Sequence, residues 1–149
     1  MGLLYSAPFE NITVTDAAQD IVFLATSSSV PILVHSIRVS ANVTTDVRAR
    51  IQILRRTTAG SGGTGITPNA EFGRNSVSAA TTATYARNTP GTAGNVIDAE
   101  TWSLLVPYEF APTPENRIHV PVSSYIALNL VAGTGASRTM SGRVFFEEL

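Results

Sequence analysis

Between Asp46 and Asn69 the sequence alternates strictly and then stops alternating, and both halves restrict the fold. Val47, Ala49, Ile51 and Ile53 are apolar, with Arg48, Arg50 and Gln52 between them. Successive side chains of a strand point to opposite faces, so this spacing predicts a strand with an apolar face and an arginine ladder. Leu54 breaks the alternation, and Arg55 and Arg56 extend the ladder beyond it. Thr57-Thr58-Ala59 then leads into Gly60-Ser61-Gly62-Gly63-Thr64-Gly65. So many glycines oppose a helix, and Pro68 biases Thr67 toward extended backbone. A β protein is expected, with a long Gly/Thr-rich loop and arm over about residues 57–80.

The rest of the chain repeats the period of two. Ile37, Val39, Ala41 and Val43 alternate with Arg38, Ser40 and Asn42, and Thr44-Thr45-Asp46 is expected to join this strand to the arginine strand as a hairpin. Leu3 to Thr15 reads as one or two extended segments broken at Pro8, and Ile21 to Thr26 as a buried strand. Thr81 to Thr89 is β-prone and fits an edge strand or a loop arm. Trp102, Leu104, Val106, Tyr108 and Phe110 fit one face of a long strand, with Pro107 marking an edge or a bulge. Ile118 to Val122, Tyr125 to Leu130 and Ser137 to Glu148 complete the set. Eight to ten strands with frequent turns and no helical period predict one all-β domain over 1–149. The expected form is a β-sandwich of the jelly-roll type.

Composition removes several chemistries. The chain has no cysteine and no lysine: all ten basic residues are arginine. Disulfides, thiolate metal sites, Schiff bases and the lysine of a phosphate-binding loop are thereby excluded. The formal net charge of −1 supplies no field for nucleic acid or an anionic membrane, so neither is an expected partner. No secretory signal or membrane-length apolar run is visible, which makes the cytoplasm the expected place of synthesis. Charged residues reach only 14%, against about 25% in typical soluble chains. Such a surface suits a protein packed against neighbours.

Candidate sites are few. The glycine run lacks the following helix that a nucleotide loop requires, so no cofactor is expected. His35 and His119 stand alone, and no metal set is expected. Asp98, Glu100, Glu109 and Glu115 lie near Trp102 and Tyr108, which admits a glycosidase-like pair of carboxylates or merely solvated acids around a core tryptophan. The arginines, with Arg38 on the neighbouring strand, admit two readings. They pair with acids such as Glu147 or Glu148, or they form an interface, since the guanidinium fork suits a partner's carboxylates. The candidate interface is Arg48, Arg50, Arg55, Arg56, Gly60, Gly62, Gly63, Gly65 and Ile66. Its loop is expected to be ordered mainly by another subunit, because glycine loses much entropy when fixed.

Arg55-Arg56-Thr57-Thr58-Ala59, the Gly/Thr-rich loop and Thr67-Pro68-Asn69 resemble short all-β virion proteins of tailed bacteriophages. So do the Ala/Thr-rich arm through Tyr85, the Pro114-Glu115 turn before Ile118-His119-Val120, and the closing Gly142-Arg143-Val144-Phe145-Phe146-Glu147-Glu148. The resemblance covers about Val34 to Glu148. It implies a jelly-roll head decoration (cement) protein, non-enzymatic, trimeric, and seated on the major capsid protein at the virion surface. Related small jelly rolls serve in tails and fibres. A fibre-associated glycan-binding module with Trp102 or Tyr85 as platform is the alternative, and a small β-fold hydrolase a further one.

Overall fold

The computed structural model describes residues 2–71, 77–132 and 134–149. Its strands are β1 (Leu3–Val14), β2 (Gln19–Ala25), β3 (Ile32–Ala41), β4 (Arg48–Arg56), β5 (Gly60–Ser61), β6 (Thr64–Ile66) and β7 (Asn69–Ala70). They continue with β8 (Thr82–Arg87), β9 (Thr89–Pro90), β10 (Ala93–Ser103), β11 (Tyr108–Phe110), β12 (Ile118–Val120), β13 (Tyr125–Leu130) and β14 (Arg138–Glu148). These fourteen exceed the eight to ten expected, because the loop region contributes short paired segments that carry no period.

The first sheet runs β11-β3-β14-β1-β7, with β12 also on β3; the second runs β10-β4-β13-β2-β8-β6. All the pairings are antiparallel. β1 pairs with β14, β2 with β13, β3 with β11 and β12, and β4 with β10. The chain thus doubles back on itself as a ribbon, and successive segments of that ribbon fall alternately in the two sheets. Rolling a doubled ribbon in this way is the jelly-roll path. The all-β sandwich is therefore as the alternation implied.

Period two explains the core. Ile51 and Ile53 of β4, Leu128 and Leu130 of β13, Ile37 and Val39 of β3 and Val144 and Phe146 of β14 all belong to one buried cluster between the sheets. Tyr5 stacks on Phe146 across β1 and β14 with ring centroids 5.6 Å apart. Burying each such side chain stabilises by roughly 1.5–3 kcal/mol.

Four connections differ from expectation. β1 is continuous through Pro8, and its irregularity falls at a bulge between Phe9 and Ile12, where Asn11 has φ 50°. Thr44-Thr45-Asp46 makes no hairpin, because β3 and β4 lie in different sheets. Thr82–Arg87 is neither edge nor arm, since it pairs with β2 on one side and β6 on the other. The long strand from Trp102 to Phe110 is absent: β10 ends at Ser103, the chain turns through Leu104 to Pro107, and β11 begins in the opposite sheet. Trp102, Leu104 and Tyr108 are all buried all the same. A corner that keeps three side chains pointing inward mimics a strand's alternation.

Candidate functional site

The arginines of β4 share a strand but not a surface. Arg48 is exposed and its Nε lies 3.4 Å from Asp46 Oδ2. The hydrogen bond from Ser103 Oγ at 2.8 Å, followed by Arg48, holds the Asp46 carboxyl below the usual range. Arg50 is exposed beside Thr101, its partner on β10, in an open hollow shared with Gln52, Glu100 and Val131. Arg55 has the parity of Ile51 and Ile53, so it points between the sheets at their end. There its guanidinium donates to the His119 carbonyl on β12 at 2.7 Å, tying one sheet to the other.

Arg56 is no interface residue, because it is buried. Its Nη2 meets Asp20 Oδ1 at 2.5 Å and its Nε meets Oδ2 at 3.3 Å, while Nη1 donates to the Gly91 carbonyl at 3.0 Å. Asp20 is fully buried as well. Asn129 Nδ2 completes its shell, donating to Asp20 Oδ1 and to the Gln19 carbonyl at 3.0 Å each. A buried ion pair holds only when its remaining lone pairs and protons are satisfied, and this one is satisfied from three strands and a turn.

The other readings of the arginines also resolve. Glu147 bonds His35 Nε2 and the Gly2 amide at 3.1 Å each, and buried Glu148 accepts from the Thr81 amide at 2.8 Å. Neither pairs with the arginine strand. Arg38, expected beside that strand, stands in the first sheet opposite Arg143.

The glycine loop is held by its own chain, contrary to the expectation that another subunit orders it. β5 pairs with β9, and β6 pairs with β8. Arg87 donates from Nε to the Ala59 carbonyl at 2.8 Å, from Nη2 to Gly60 at 2.9 Å and from Nη1 to Gly62 at 3.3 Å. The same guanidinium lies 4.4 Å from the centroid of the Phe23 ring, which stacks on Tyr125. Gly60, Gly62 and Gly63 have φ of 68°, 83° and 82°, a region costly for other residues. A Cβ on Gly62 would stand 1.8 Å from Asn88 Oδ1, and one on Gly60 would stand 2.2 Å from the Thr89 carbonyl. These two glycines serve tight geometry. Gly65 differs: it has no such φ, and a Cβ there would meet nothing within 4 Å. The loop's outer surface is exposed at Gly60, Gly62, Gly63 and Gly65, and Ile66 is half-buried against the core.

The remaining candidates separate. Trp102 is 3% exposed and its Nε1 donates to the Val106 carbonyl, so it offers no platform to a sugar. Tyr85 packs half-buried against the core. Asp98 and Glu100 sit on β10, Glu109 on β11 of the other sheet, and Glu115 in the turn Pro114–Asn116. Asp98 Oδ2 accepts from the Tyr108 hydroxyl at 3.1 Å, and burial, reinforced by the Asp98 charge, raises the Tyr108 phenol well above its usual range. Among the described residues no cluster of three metal-ligating side chains occurs. No local pattern points to Asp20, Arg87 or Asn129, because apart from Thr84 beside Arg87 their hydrogen-bond partners lie between 25 and 110 residues away. Comparison with family models, with curated proteins and with solved structures yields no match for this chain.

Proposed function

We propose that this chain is a structural virion protein that decorates and stabilises the head of a tailed bacteriophage. It would act as a trimer seated on the major capsid protein, at the capsid surface, after synthesis in the host cytoplasm. The observation that carries this reading is the uncovered edge of the second sheet. Among the described residues β10 pairs with β4 alone, and Val96 and Ile97 on it are 50% and 39% exposed. Arg48 and Arg50 stand directly beside Ser103 and Thr101 of the same strand. Unpaired backbone groups, aliphatic side chains and arginines together are what a protein interface uses. A jelly roll is a frequent scaffold in viral shells, which adds support by analogy of fold only. Weak contacts repeated over a shell would sum through multivalency.

The test is assembly. Purified protein added to empty heads of the virus that encodes it is expected to co-sediment with them, and light scattering is expected to report a trimer. Val96→Asp with Ile97→Asp should abolish both while leaving the melting temperature within a few degrees. Retention of head binding by this double variant would remove the edge from the proposal, and failure of the unaltered chain to bind heads would remove the decoration role.

A further inference from the structure

Arg38 and Arg143 face each other in direct register across β3 and β14, and both are exposed. Their sequence neighbours Ile37, Val39 and Val144 lie in the core, so the two arginines project from the outer face of the first sheet. Cβ atoms of such opposed residues lie about 4.5–5.5 Å apart, and like charges so placed repel. Five other arginines donate hydrogen bonds to described residues, namely Arg48, Arg55, Arg56, Arg87 and Arg138, whereas Arg50 and Arg117 make none to the described residues. Among the described residues the ion pairs within 4.0 Å are His35–Glu147, Arg48–Asp46 and Arg56–Asp20. Arg38 and Arg143 appear in neither set. The acid opposite Arg38 in register is Glu109 on β11, and Glu10 lies on β1 two residues beyond Pro8, the register partner of Arg143. Neither closes on a guanidinium. Arg143 instead lies 6.0 Å from the Phe145 ring centroid.

Pro8, Ser40, Ser141 and Gly142 complete an open depression of about 390 Å³ around the pair. Ser141 Oγ accepts the Asn11 amide at 2.9 Å, which leaves its own proton free to donate outward. We propose that Arg38 and Arg143 clamp the carboxylates of an extended acidic segment belonging to a partner protein, laid across β3 and β14. Two adjacent guanidinium forks match carboxylates in a planar, bidentate way. The depression is wide and wet, where a free ion pair contributes roughly 0–1 kcal/mol. The occupant must therefore bring surface that displaces water, and Pro8 and Phe145 offer the apolar flanks for it. Phosphate polymers are disfavoured by the overall charge of −1 and by the flanking acids. This site lies on the opposite sheet from β10 and does not depend on the decoration role.

The test is a nuclear magnetic resonance titration of the full chain with a blocked peptide of alternating glutamate and serine at low salt. Shifts are expected at Ser40, Ser141 and Gly142, with affinity at least about tenfold weaker in Arg38→Gln/Arg143→Gln, a loss of about 1.4 kcal/mol. The melting temperature of that variant should be unchanged, and Arg50→Gln on the other sheet should bind as the unaltered chain does. Absence of peptide binding overturns the clamp. So does an equal loss in Arg50→Gln, which would mean net charge alone. Tighter binding of inorganic phosphate or of a single-stranded oligonucleotide than of the peptide overturns the assignment to a protein partner.

Discussion

The ribbon-covered end of the second sheet and the open outer face of the first both carry arginine and use it in opposite ways. On the second sheet the β5–β9 ribbon folds over one end, and beneath or beside it Phe23, Leu54, Asp20, Arg56 and Asn129 are buried outside the main core. On the first sheet Arg38 and Arg143 are exposed, with no such cover among the described residues. A covering segment lowers the local dielectric, so each charge beneath it demands a fixed partner. An open face makes no such demand. Covering arginine turns it into internal structure in one place, and leaving it uncovered keeps a surface free to bind in the other.

The covered pair carries the largest expected effect. Asp20→Ala leaves Arg56 buried without its counter-charge, and loss of about 3–5 kcal/mol is expected in urea unfolding. Asp20→Leu with Arg56→Met should recover most of that loss, because it removes both charges together. A double variant as unstable as the single one would mean that the polar network itself, beyond charge balance, is required.

A smaller effect is expected at the ribbon's turns. Gly62→Ala places a Cβ against Asn88 at φ 83° and should cost about 1–3 kcal/mol. Gly65→Ala, in open space, should be neutral or slightly stabilising. Equal effects at the two positions would show that the glycines supply flexibility after all. Arg87→Met keeps an unbranched apolar stem but removes the donors to three carbonyls; about 1–2 kcal/mol of destabilisation is expected. Hydrogen exchange should accelerate over residues 57–66 while β13 and β14 stay protected. Replacing Gly60–Gly65 with a two-residue turn deletes two of those three acceptors, so a lower melting temperature is expected from that change as well.

Where the chain passes between the faces, Tyr108 ties the corner to β10 through Asp98. Its phenol is raised in the folded state, so its contribution is fully present below the unfolded value near pH 10 and is lost as pH rises toward the folded value. Alkaline unfolding monitored above pH ~10 should show a shallower slope in Tyr108→Phe. Some slope remains, because burial raises Tyr5 also. The smallest effect belongs to the open face: Arg38→Gln and Arg143→Gln should each shift stability by less than about 0.5 kcal/mol.

Alternation alone determined that this chain is a β-sandwich, since period two with one apolar face has few other ways to be buried. It also identified β2, β4, β13 and β14 closely, because each packs along most of its length against the same core, whereas of β3 it found only the part from Ile37 onward. Tertiary structure decided what local pattern cannot carry. Trp102 to Phe110 satisfies the alternation of a strand, yet Pro107 and the buried Leu104 fit a corner between sheets equally well. Arg55 and Arg56 are adjacent in sequence, but the pleat sends one between the sheets and the other beneath the ribbon. Whether Arg56 is exposed depends on Asp20, 36 residues away in the chain, and on Asn129, 109 residues from Asp20. The glycine run shows the limit most plainly: its residues permit both a floppy loop and a set of tight left-handed turns. Only the approach of Arg87 and β9, made possible by the rolled ribbon, selects the second.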